Sequence, residues 1–164
     1  MVFDLKRYTC CFTGHRTLPK DKLSDISACL EHVIIKYINE GYRYFGTGGA
    51  LGFDTLAAET ILKLKNKYPY IKLILVLPCL SQTKGWNKFD VDRYNYIKTQ
   101  ADKVVYTSQE YTSDCMFKRN RHLVNHSSLC ICYLSRNSSG TAYTVAYAKK
   151  NKLKIENIAN LVIL

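Results

Sequence analysis

Three short runs of glycine, hydroxyl and basic residues could do chemistry in this chain of 164 residues. Gly46-Thr47-Gly48-Gly49-Ala50-Leu51-Gly52-Phe53-Asp54 sets four glycines in seven positions, between the apolar run Tyr42 to Phe45 and a helical pattern that starts at Asp54. A strand that enters a glycine-rich turn and leaves as a helix suits a phosphate. Backbone without Cβ atoms can approach the ligand, and free N–H groups at the helix start face the anion. Gly48, Gly49, Ala50 and Gly52 are the candidate cradle. Asp54 either caps its helix or binds ligand hydroxyls.

Thr13-Gly14-His15-Arg16 stands directly after the first apolar run. Thr13 and Arg16 can bond phosphate or ribose, Gly14 permits a tight turn, and His15 can contact phosphate or act as acid or base. Ser138-Ser139-Gly140-Thr141 precedes the last helical pattern and reads as a second anion cradle or as a capping loop. In Cys115-Met116-Phe117-Lys118-Arg119-Asn120-Arg121, helical spacing puts Met116, Asn120, Leu123, Val124 and Ser127 on the inward face. Asn120 then bonds a strand-end carbonyl or reaches into the site, and Arg119 offers a fork suited to phosphate. Trp86, the sole tryptophan, stacks on a nucleobase or packs in the core.

What is missing narrows the chemistry. No Gly-Lys-Ser/Thr follows the glycines, so a Walker-type ATPase is not indicated. The glycine run follows the second strand rather than the first, and the next strand ends in Pro78 with no acid for a ribose 2′-hydroxyl, which argues against a standard NAD site. Seven cysteines include no CxxC pair and read as reduced core thiols, with no metal site expected. No cofactor is firmly implied beyond a bound nucleotide.

These motifs need a scaffold that brings distant loops together. Strand-like runs at Tyr8–Thr13, Tyr42–Phe45, Ile71–Leu77, Lys103–Tyr106 and Leu129–Leu134 alternate with helical patterns. The first helix carries the inward stripe Leu23, Ile26, Leu30, Val33, Ile34, Tyr37 and Ile38. The second runs from Asp54 to about Lys67, and the third from about Trp86 to Gln100 with Phe89, Arg93 and Ile97 inward. The fourth runs from about Asp114 to His126 and the last from Thr141 to about Asn151; the tail (Leu153–Ile155, Leu161–Leu164) supplies a final strand. The alternation predicts an α/β fold: one Rossmann-like domain over residues 1–164, a doubly wound and mostly parallel sheet with helices on both faces. Ligands of such sheets lie beyond the strands' carboxyl ends, where every motif above falls.

The net charge is +11, and 115–164 holds eight of the 24 basic residues against a single acid. That balance admits a polyanion partner, although many lysines fall on outward helix faces and read as solvated surface. No run is long enough to span a membrane and no signal peptide is evident, so a cytoplasmic protein is expected.

The residues Cys10-Cys11-Phe12-Thr13-Gly14-His15-Arg16, Gly48-Gly49-Ala50-Leu51-Gly52-Phe53-Asp54 with Ala57-Ala58-Glu59, Cys115-Met116 with Arg119-Asn120, and Ser139-Gly140-Thr141 with Tyr147-Ala148 resemble the YpsA-like family of the SLOG superfamily. That superfamily groups the Smf/DprA and Lonely Guy (LOG) proteins. The resemblance runs almost end to end. It implies a Rossmann-like fold, a pocket for a nucleotide-derived ligand, a bacterial or phage cytosolic protein and, from LOG relatives, a homodimer. LOG proteins are phosphoribohydrolases whose glycine motif ends in a catalytic glutamate; here the matching run ends at Thr144.

Binding or sensing of a nucleotide or ADP-ribose-like ligand is therefore the expected function. The alternatives are a LOG-like N-glycosidic hydrolase, with Asp54, Glu59 or His15 as candidate catalytic groups, and DprA-like single-stranded DNA binding.

Overall fold

The computed structural model describes residues 4–137 and 139–162. Six strands form one sheet: β1 (Thr9–Gly14), β2 (Tyr44–Thr47), β3 (Lys72–Leu77), β4 (Lys103–Tyr106), β5 (Leu129–Tyr133) and β6 (Lys154–Asn157). Five helices connect them: α1 (Leu23–Asn39), α2 (Phe53–Leu64), α3 (Lys88–Gln100), α4 (Cys115–Asn125) and α5 (Gly140–Lys150). Every strand pair is parallel, and the order is β4-β3-β2-β1-β5-β6. The chain winds outward from β1 to β4, then returns to β5 beside β1. This reversal opens a crevice beyond the carboxyl ends of β1 and β5, the place where open α/β sheets hold ligands.

The sheet separates two cores. One unites the inward stripes of α1, α2 and α3 with Phe12, Phe45, Leu73 and Ile131; the other unites α4 and α5 with Cys11, Val76, Cys130 and Cys132. Alternate strand residues serve opposite faces, so Cys130 and Cys132 share one face while Ile131 faces the other core. Phe12 lies 6.2 Å from Phe45 and 6.4 Å from Phe53, centroid to centroid. These buried rings contribute roughly 1.5–3 kcal/mol each and seat the start of α2 on the sheet. A Cβ on Gly14 would overlap the Phe53 side chain. Absence of that atom brings α2 directly onto the end of β1.

Several expected positions shift. Leu23 opens α1 and is exposed rather than inward, and the buried stripe begins at Ile26. Phe89 is also exposed, and Tyr94 with Ile97 takes the inward face of α3. That helix starts at Lys88, not Trp86, because Asn87 Oδ1 caps it by accepting the Asp90 N–H at 2.8 Å. At the tail the strand is Lys154–Asn157; Ile158–Asn160 form a 3₁₀ turn, and Ile163 and Leu164 lie outside the described residues.

Candidate functional site

A cavity of about 430 Å³ sits at the β1/β5 reversal. Its walls bring together Thr13, Gly14, His15 and Arg16 after β1, Ala50 and Asp54 at the start of α2, Arg119 and Asn120 from α4, and Ser139, Gly140 and Thr141 at the start of α5. Gly48, Gly49, Gly52, Trp86 and Glu59 do not line it. Ser138 lies outside the described residues.

The glycine run serves the protein's own atoms. A Cβ on Gly48 would overlap the Arg119 guanidinium; on Gly49 it would come 2.6 Å from Leu77 Cδ2; on Gly52 it would strike the backbone of Arg16. Gly49 and Gly52 also have positive φ, 73° and 77°, a region open to glycine. The Phe53 N–H donates to the His15 carbonyl at 3.1 Å, which fastens the glycine loop to the Thr13–Arg16 turn. Of this loop only Ala50 faces the cavity, together with Asp54 at its end. Of the glycines on the cavity wall, Gly140 is the open one, where a Cβ would meet nothing within 4 Å.

Gly140 opens α5, whose first N–H groups lack intrahelical partners. Ser139 Oγ satisfies one of them by accepting the Ala142 N–H at 3.0 Å. The positive end of the helix thus faces the cavity.

Arg119 is buried, which displaces the expected inward stripe of α4: Cys115, Arg119, Leu123 and Val124 are the buried residues, and Met116 and Asn120 are only partly so. A guanidinium takes this position because its partners wait there. Nη1 donates to the Gly48 carbonyl and Nε to Asn120 Oδ1 at 2.6 Å. Asn120 Nδ2 in turn donates to Thr144 Oγ1 at 3.0 Å, and Thr144 donates to the Gly140 carbonyl at 3.0 Å. Of the two expected roles, the bond to a strand-end carbonyl is not made: Asn120 lines the cavity and ties α4 to the start of α5. Arg119 Nη2 contacts the Met116 sulfur at 3.8 Å, a weak acceptor.

Asp54 is buried, and its carboxylate accepts the Ala50 N–H at 3.2 Å. Burial raises its pKa, while the Arg119 charge, the backbone N–H groups and Arg16 pull it down. His15 is also buried, and Nε2 accepts the Ser135 N–H at 3.0 Å, so the neutral ring carries its proton on Nδ1. Burial, then the Arg136 charge, lowers its pKa. Among the described residues the cavity wall carries three arginines (Arg16, Arg119, Arg136) against one carboxylate, Asp54. This arrangement attracts a polyanion and places hydrogen-bond acceptors at Asp54 for neighbouring hydroxyls.

Two sequence candidates stand apart. Glu59 makes a two-point ion pair with Arg93 on the outer side of α2. Trp86 packs edge-on against Tyr94, centroids 5.5 Å apart, and lines a neighbouring cavity. Gln82 and Tyr94 were not legible as site residues; Gln82 Nε2 donates to the Gly48 carbonyl at 3.0 Å and Tyr94 donates to Gln82 Oε1 at 3.0 Å. Arg136 had a signal in its proximity to Ser139.

Comparison with known proteins agrees with this architecture. Two UPF0398 proteins, from Bacillus thuringiensis (strain Al Hakam) and Bacillus cereus (strain AH187), are each 28% identical over 141 residues, 85% of this chain and 77% of theirs. DNA processing protein A (DprA) of Streptococcus pneumoniae has the same fold, with a TM-score of 0.68 at 19% identity over 92% of this chain. DprA of Helicobacter pylori, whose structure concerns single-stranded DNA binding, superposes with a TM-score of 0.66 at 16% identity over 96% of this chain. This chain spans 50% of the first DprA and 72% of the second. The model of the YspA SLOG family (YpsA) matches residues 10–163, nearly the whole of the six-stranded parallel domain, so the chain belongs to that family.

Proposed function

We propose that this chain binds a nucleotide or nucleotide-derived, ADP-ribose-like ligand in the β1/β5 cavity, with phosphate between the start of α5 and the arginines. The observation that carries this reading is Arg119: a buried guanidinium on the cavity wall whose Nη2 has a thioether sulfur, a weak acceptor, as its hydrogen-bond partner. A buried charge is stable when it is paired, and a phosphate oxygen would complete its set. The volume of about 430 Å³ falls within the range of small-ligand sites. Asp54 would take a ribose hydroxyl, and neutral His15 a hydroxyl or phosphate oxygen.

The test is mass spectrometry of small molecules carried through purification from cells, followed by thermal stabilisation with a nucleotide panel. A binder is stabilised by particular nucleotides and returns them intact, and Arg119→Lys loses the stabilisation. No shift from any nucleotide would overturn the reading. Release of free base, lost in Asp54→Asn, would instead favour hydrolysis; the position of Asp54 on the cavity wall supports that second reading.

Single-stranded DNA is the other candidate, supported by the fold shared with a DprA named for such binding and by the charge of +11. It predicts oligonucleotide affinity that falls steeply with salt.

A further inference from the structure

A second cavity, of about 500 Å³, adjoins the first and shares Arg16 and Met116 with it. Its chemistry is different. The first cavity carries the α5 start, Arg119 and Arg136; the second carries the rings of Trp86 and Tyr111 with the Lys84 ammonium.

Trp86 is held in place by packing. Its ring stands edge-on to Tyr94, with 86° between the planes. Tyr94 is bonded to Gln82, and Gln82 to the Gly48 carbonyl. Arg119 donates to that same carbonyl from the other cavity. The indole and the buried guanidinium are therefore referenced to one backbone oxygen, which sets the two cavities in fixed relation. Tyr111, on the loop between β4 and α4, is 66% exposed, an aromatic left out of both cores. Arg16 is exposed and stands on both walls, where a bridging phosphate would sit.

We propose that the Trp86–Tyr111 cavity is a nucleobase subsite. The chain then takes a two-part ligand: a base-bearing nucleoside in the second cavity, a phosphorylated ribose in the first, and a diphosphate bridge at Arg16. This inference rests on the nucleotide reading above and specifies how the ligand is divided. Aromatic stacking of a base adds roughly ten- to a hundredfold in affinity, so the two-part ligand binds more tightly than its phosphate half.

Trp86 is the only tryptophan in the chain, so its fluorescence reports on this cavity alone. The full chain is titrated with ribose 5-phosphate, AMP and ADP-ribose, and both melting temperature and tryptophan emission are followed. Ribose 5-phosphate is expected to raise the melting temperature without changing the emission. ADP-ribose is expected to quench it and to bind at least about tenfold more tightly than either AMP or ribose 5-phosphate. Trp86→Phe weakens the preference, and Tyr111→Ala narrows the gap between ADP-ribose and ribose 5-phosphate. If ADP-ribose binds no better than ribose 5-phosphate and leaves the emission unmoved, the base subsite is wrong while the anion cavity stands. AMP equal to ADP-ribose in affinity and quenching overturns the two-part ligand. If none of the three raises the melting temperature, the nucleotide reading fails as well.

Discussion

Arg119 donates to the carbonyl oxygen of Gly48, and its guanidinium fills the space that a side chain on Gly48 would need. The glycine is what lets a buried arginine cross from α4 to the loop after β2. Gly48→Ala therefore displaces Arg119 and costs about 1–3 kcal/mol of stability. In a domain of this size that lowers Tm by roughly 2–4 °C per kcal/mol in thermal denaturation. A Tm equal to wild type would contradict the packing.

Gly140→Ala is the matching control at the other cradle. Its Cβ has open space and alanine favours a helix, so the fold keeps its Tm. The added methyl enters the cavity, and stabilisation by nucleotides falls. Unchanged nucleotide response would separate Gly140 from the binding surface.

Gly52→Ala is the most damaging of the three. Here φ is positive and the new Cβ strikes the Arg16 backbone, which cannot move aside as a side-chain tip can. The expected loss is about 3 kcal/mol, read by denaturant unfolding. Because Gly52 holds the glycine loop against the Thr13–Arg16 turn, this variant also weakens ligand response.

The pH dependence of stability should carry a His15 component. Its folded pKa lies below the ordinary 6.5, so the unfolded chain binds a proton in the interval between the two values and the folded chain does not. The contribution is fully present above 6.5 and is lost as pH falls through that value toward the lowered one. Protonation of Nε2 also breaks the bond from the Ser135 N–H. His122 is shifted in the same direction by burial and by His126, and adds to the acid loss. His15→Gln therefore flattens only part of the curve below pH 6.5, measured as Tm against pH. An identical curve would place the titration elsewhere.

The alternation of apolar runs with 3.6-residue stripes was enough to specify a doubly wound parallel sheet, and glycine, hydroxyl and arginine motifs at strand ends were enough to locate the cavity. Those features are local: a strand pattern, a helix period and a turn glycine each act over a few residues. The direction in which each glycine faces was decided elsewhere. Gly48, Gly49 and Gly52 looked like a phosphate cradle, but their empty sides are filled by Arg119, Leu77 and the Arg16 backbone, from segments 71, 28 and 36 residues away in number. The same holds for Arg119, which helical spacing put outside the inward stripe and which Gly48 and Asn120 draw inside. Glu59 and Trp86 were assigned by type, and their partners Arg93 and Tyr94 took them off the first cavity. Sequence alone determined which loops meet, because backbone periodicity sets the topology. Only tertiary packing decided which atoms within them face the cavity, because a buried charge goes wherever distant groups can pair it.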